Sequence, residues 1–313
     1  MRKRGRRDAA IRHLVFVSIL SAGLLLGAGC SSLPKETEPQ GKLAEKGSKY
    51  LETGNSLFRQ ARFGEALDMY DLALESYIKI DDIQGIARSY IAAGSVYHML
   101  GGDEQAERLL LRALAVVTPP GESEERSRFP GAAAEALGGL AEVAYMRGEL
   151  EQALEYIERG MRLIDSGEFS REKAVLLHNR GTVRRAQGEL PAAEEDLRRA
   201  LELNRKSRRY GEMASNHYML AAAAQKRKKP EEARDHLLRA LELDRRTEHS
   251  IGIAYDLRAL SGIAGELGDE EQEKEYRRRA ERLFQSLGLD YAPESRPEHT
   301  NDGSRIPAGE LNQ

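Results

Sequence analysis

Few residues in this chain have the types and spacing that chemistry needs. The only cysteine, Cys30, cannot close an internal disulfide and would stand as a lone nucleophile. Five histidines, His98, His178, His217, His236 and His249, show neither an H-E-x-x-H pattern nor paired ligand spacing. His178 and His217, 39 residues apart, are the pair that a repeating fold could bring together. There is no glycine-rich phosphate loop, no nucleophile elbow and no Cys–His pair. Most Asp and Glu residues alternate with Arg and Lys, as on solvated helix faces. The expectation is a chain that binds rather than catalyses, with no cofactor and no metal.

The residues before Cys30 suggest a use for its thiol. Six basic residues (Arg2, Lys3, Arg4, Arg6, Arg7, Arg12) and one acid, Asp8, precede an uncharged run over residues 14–28. A bilayer-spanning helix needs about 20 apolar residues, so this run is short for a permanent span and fits a removable export signal. The run ends LLLGAGC. Ala28 and Gly29 before Cys30 resemble the lipobox of a bacterial lipoprotein, with Gly27 where leucine is usual. That resemblance implies cleavage before Cys30 and its acylation, and Ser31 implies transfer to the outer membrane, facing the periplasm. Residues 1–29 would then be signal peptide and residues 30–43 a polar, proline-containing tether. Removing six bases and one acid from a chain of net charge −3 leaves about −8. An acidic body argues against nucleic acid as a partner.

The elements that would hold a binding surface follow a repeat. Ala66, Ala106, Ala153, Ala193, Ala233 and Glu273 align at spacings of 40, 47, 40, 40 and 40. Twelve residues earlier stand Gly54, Gly94, Ala141, Gly181, Ala221 and Ser261; seven later stand Ala73, Ala113, Gly160, Ala200, Ala240 and Ala280. Small residues at those offsets, with Tyr70, Leu110, Ile157, Leu197 and Leu237 between them, predict pairs of helices in close contact. Gly101, Gly148, Gly188 and Gly268 mark the turn inside a pair, and Pro191 and Pro230 suit the first turn of a second helix.

These positions resemble the tetratricopeptide repeat in a form with a 40-residue period. The fold expected is all-α, a right-handed superhelical solenoid of about six helix-turn-helix repeats over residues 44–287. An exposed loop is expected at residues 118–131, a polar capping repeat at the end, and a disordered tail over residues 288–313. In that family the first helices line a concave groove that binds partner segments. The resemblance implies Asn55, Phe58 and Arg59 in the first repeat, Arg88 and His98 in the second, and Glu142 and Tyr145 in the third. It adds His178 and Arg185 in the fourth, Tyr218 and Gln225 in the fifth, and Arg258 in the sixth. The family's chaperone-tail clamp wants a lysine where Leu51 stands, so that specificity is not implied.

The reading is a membrane-anchored adaptor for another envelope protein; the alternative is an accessory ligand-binding component of an uptake or secretion system. The basic run Arg205, Lys206, Arg208, Arg209, with Arg245 and Arg246 one period on, either caps helix C-termini or offers a positive edge. A Cys30→Ser chain is expected to leave the membrane fraction, uncleaved or misrouted, which fractionation and mass spectrometry of its N-terminus will read. A processed Cys30→Ser protein that still sediments with membranes excludes the lipid anchor.

Overall fold

The computed structural model describes residues 38–164, 169–289 and 291. The signal segment, Cys30 and most of the expected tether and tail lie outside the described residues. Among those described, the chain is all-helical. The helices are α1 (Glu38–Arg59), α2 (Phe63–Ile78), α3 (Ile83–Met99), α4 (Asp103–Val117), α5 (Pro130–Met146) and α6 (Leu150–Leu163). They continue as α7 (Ser170–Gln187), α8 (Leu190–Lys206), α9 (Tyr210–Lys226), α10 (Pro230–Arg246), α11 (Ser250–Glu266) and α12 (Glu270–Ser286). Consecutive helices pair into six antiparallel repeats, and each second helix also packs on the first helix of the next repeat.

The small residues do what their spacing predicts. A Cβ added at Gly54 would lie 2.5 Å from the ring of Tyr70, and one at Gly181 would lie 2.7 Å from Leu197. The large side chain of the second helix thus occupies the space a side chain would need on the first. Inside every pair the turn residue has positive φ: Ala61, Gly101, Gly148, Gly188, Lys228 and Gly268 lie between 60° and 86°. Glycine adopts this conformation without strain. Ala61 and Lys228 adopt it too, and their N–H groups close the turn on the Phe58 and Gln225 carbonyls at 3.0 and 2.8 Å. The turn is closed by backbone bonds such as Gly102 N–H to the Tyr97 carbonyl, 2.8 Å.

Both ends of the solenoid run further than the sequence suggests. Helix α1 begins at Glu38, so residues 38–43 are helical rather than tether. Beyond α12, Leu289 is buried and the Tyr291 ring meets Phe284 edge-on at 5.6 Å, so packing passes the expected start of the tail. The insertion after α4 is exposed but pinned. Ser127 Oγ donates to the Val117 carbonyl at 2.7 Å, and Arg159 on α6 holds Glu124 at 2.7 Å. As expected for a terminal repeat, α12 buries Ala280 and Phe284 and leaves its other faces charged.

Core apolar residues of the first two repeats and of the last two fall in one cluster of buried side chains. The joints between repeats share one register but differ in chemistry. Val117 and Ala136 share an apolar cluster at the second joint, and Ile164 and Leu176 at the third. At the fourth joint the equivalent residues are amides, with Asn204 Nδ2 donating to Asn216 Oδ1 at 2.9 Å. At the fifth they are acids, Asp244 and Asp256, 5% and 1% exposed. Asp244 Oδ1 meets His249 Nδ1 at 3.2 Å. Burial, and then the charge of Asp244, push the Asp256 carboxyl up to about 9 from 3.8.

Asp256 therefore keeps its proton when folded, whereas the unfolded chain releases it above 3.8. Stability falls as pH rises between those two values, because the folded state holds the extra proton. Asp256→Asn, which copies the preceding joint, should raise Tm at pH 8 by about 5 °C and change it little at pH 4. Equal shifts at both pH values in thermal denaturation would remove the proton from the account.

Candidate functional site

The first helices α1, α3, α5, α7, α9 and α11 touch one another in succession and form the inner wall. On that wall the middle repeats enclose a cleft of about 250 Å³. Helix α3 contributes His98 and Met99, α5 contributes Glu142, Tyr145 and Met146, α7 contributes His178 and Asn179, and α9 contributes Met219. Met219 faces the same cleft as Met99, three repeats away, because the winding is tight.

The polar groups of the cleft are oriented by partners behind them. Arg209 can only donate, and its Nε gives a 2.9 Å bond to Asn204 Oδ1. That turns Asn204 Nδ2 toward Asn216 Oδ1, and leaves Asn216 Nδ2 to donate to His178 Nδ1 at 2.9 Å. His178 must then carry its proton on Nε2. Burial pushes His178 down to about 4, so it is neutral at ordinary pH. The fixed tautomer makes its second nitrogen a donor.

Asn179 Nδ2 is shared between the Gly138 carbonyl at 3.0 Å and Glu142 Oε1 at 3.1 Å, which leaves Asn179 Oδ1 as an acceptor. Glu142 lines the cleft and its side chain is exposed at the mouth. Displacement of water by the surrounding protein raises its carboxyl above the usual range; the charge of His98 and the Asn179 bond act the other way. The Tyr145 hydroxyl accepts from Arg185 Nη2 at 3.3 Å, and its own proton is free to donate.

Four residues that the family resemblance implies thus meet in one cleft: His98, Glu142, Tyr145 and His178. The others are placed elsewhere. Asn55 and Arg88 are exposed, and Asn55 Oδ1 accepts from the Tyr70 hydroxyl at 2.8 Å. Phe58 is half-buried against Phe63, with ring centroids 5.7 Å apart, and Arg59 is half-buried beside it. Tyr218 is half-buried against the apolar cluster. Gln225 donates to Glu266 across the last joint.

Arg258 is a correction. It is 2% exposed and its guanidinium lies over the rings of Tyr255 and Phe284, at 4.7 and 5.3 Å, so it belongs to the core of the last repeat. The register that makes its counterpart His178 groove-facing is covered here by the terminal helix.

His178 and His217 are not brought together. His217 Nδ1 instead meets His236 Nδ1 at 3.0 Å, and burial with the neighbouring His236 lowers His217 to about 4. No group of three or more His, Cys, Asp or Glu able to hold a metal occurs among the described residues. The basic run is largely engaged: Arg205 and Lys206 pair with Glu202, Arg209 turns inward, and Arg246 stacks on Tyr210 at 3.9 Å.

Sequence reasoning missed Asn179 and the three methionines. A signal existed, since Asn179 and Met219 stand one 40-residue period apart in a register where Gly139 stands one repeat earlier. By NMR, the His178 ring should stay uncharged from pH 8 to pH 5, with its proton on Nε2. It should titrate near pH 4, and the stability tied to its neutral form should be lost as pH falls from 6.5 toward that value. Titration near 6.5 would mean that the amide relay does not hold the ring.

Compared with known proteins, the chain matches the family described as tetratricopeptide repeat over residues 47–118 and 132–206, and again over residues 214–247. No curated protein matches it by sequence. Among solved structures it is similar to a Rap protein complexed with competence and sporulation factor: 15% identity, 80% of this chain and 78% of that one, TM-score 0.56. It is also similar to the Rap conjugation regulator of plasmid pLS20 in complex with the Phr* peptide: 14% identity, 88% and 84% covered, TM-score 0.55. BtubC from P. vanneervenii aligns at 16% identity over 84% of this chain and 96% of that one, TM-score 0.53. At these identities the likeness is one of fold.

Proposed function

Because the chain belongs to the tetratricopeptide-repeat family, we propose that it is a non-catalytic adaptor of the cell envelope. In this reading Cys30 carries lipid, residues 31–37 hold the solenoid off the outer membrane on its periplasmic side, and the inner wall captures a segment of another envelope protein. The observation that carries the binding role is the cleft, where His178, Asn179, Glu142 and Tyr145 are held with bonding capacity unspent. The Rap regulator solved in complex with the Phr* peptide, and the Rap protein complexed with competence and sporulation factor, share this fold, and the first of them supports a polypeptide as occupant. Anchoring raises the local concentration of the pair without any new contact.

The cleft volume favours a polypeptide segment over the carrier alternative. At about 250 Å³ it falls below the 300–1,000 Å³ of sites that enclose a drug-sized ligand, and suits one side chain of a longer segment. Crosslinking in membranes followed by pulldown of the full chain should recover a polypeptide. Tyr145→Ala should reduce that recovery at least tenfold, with Tyr218→Ala as a second probe of the wall. Undiminished recovery by both variants moves the site off the inner wall. A small molecule released on denaturation, with no polypeptide, favours the carrier.

A further inference from the structure

Glu142 supplies the only carboxylate among the residues that line the cleft, and no Lys or Arg lines it. The ion pairs formed among the described residues leave Glu142 out. Its bond from Asn179 satisfies one oxygen and leaves the other without a partner from the protein. Glu142 is exposed at the mouth of the cleft, where an incoming cation can reach its free oxygen and form a charge-assisted hydrogen bond.

The walls beside it are the thioether side chains of Met99, Met146 and Met219. Flexible, polarizable methionines adapt to an unbranched hydrocarbon stem. Glu142 and Asn179 Oδ1, on adjacent helices and already joined by one bond, present acceptors side by side, as an ammonium or guanidinium head requires. An acidic occupant would face Glu142 directly, and an apolar one would leave it uncompensated. The acidic balance expected of the body favours the approach of basic segments as well.

From this arrangement we infer that the cleft seats one basic side chain, lysine or arginine, of the partner segment. Its head lies against Glu142 and Asn179 and its stem between the three methionines. The inference rests on the inner-wall reading above and adds the chemistry of the residue that enters. His178 Nε2–H and the Tyr145 hydroxyl, both donors, are left for carbonyls of the same segment.

The test uses the full chain in detergent with its methionine methyls labelled for NMR. It is titrated with N-acetyl-Ala-Lys-Ala-amide and with the same peptide carrying norleucine or glutamate in place of lysine. The lysine peptide should shift the methyl signals of Met99, Met146 and Met219 and bind at least tenfold more tightly than the other two. Glu142→Gln, which preserves the bond to Asn179, should remove that preference while leaving the thermal melt in place. Equal binding of the norleucine peptide, or an unchanged preference in Glu142→Gln, overturns the basic-residue inference and leaves the inner-wall reading standing. Absence of any shift with all three peptides overturns the inference and the choice of this cleft together. Should Glu142→Gln fail to fold, the lysine–norleucine comparison on the unaltered chain decides alone.

Discussion

The structure depends on one recurring fit: a large side chain of each second helix laid onto a position where the first helix has little or no side chain. Tyr70 over Gly54 and Leu197 over Gly181 show it at its tightest. Close-packed interiors tolerate neither a void nor an extra methylene without cost. The offset between small and large positions therefore sets how near two helices approach, and at which rotation. Repeated through the first five helix pairs, with Arg277 in the terminal pair the departure, that approach makes a solenoid whose stability is close to a sum of units and joints.

The joints are where the repeats stop being copies. The same register holds apolar groups at the second and third joints, an amide pair at the fourth and an acid pair at the fifth. The amide pair also aligns a chain of donors, from Arg209 through Asn204 and Asn216 to His178, that ends at the inner wall. Packing and site are thus one network at that joint. The buried pairing of Arg180 and Arg184 with Asp196, each at 2.7 Å, fixes α7 against α8 and with them the wall that carries His178 and Asn179.

The site is made by winding as much as by residues. Consecutive repeats alone would offer a shallow strip. Because the inner wall curves until Met219 faces the same space as Met99, the strip becomes a cleft. The protein around the cleft keeps His178 neutral and, by displacing water, raises the Glu142 carboxyl even though that side chain is exposed at the mouth.

The sequence by itself determined the helices, their pairing and the turns, because each follows from local spacing. Small residues recur with the period, and a left-handed turn residue closes every pair, including the non-glycine Ala61 and Lys228. It also located a polar inner face, since one register of each first helix carries groups such as His98, Tyr145 and Arg185. Only the tertiary structure decided which of those groups face a common space. Arg258 has the register of His178 yet is buried under α12, because the last repeat has no successor and its own second helix closes over it. Asn179 and the three methionines became site residues for the converse reason: they matter through neighbours 37 or more positions away, such as Glu142 beside Asn179. A period states that two positions are equivalent. The curvature of the stack, summed over several joints, determines what each of them touches.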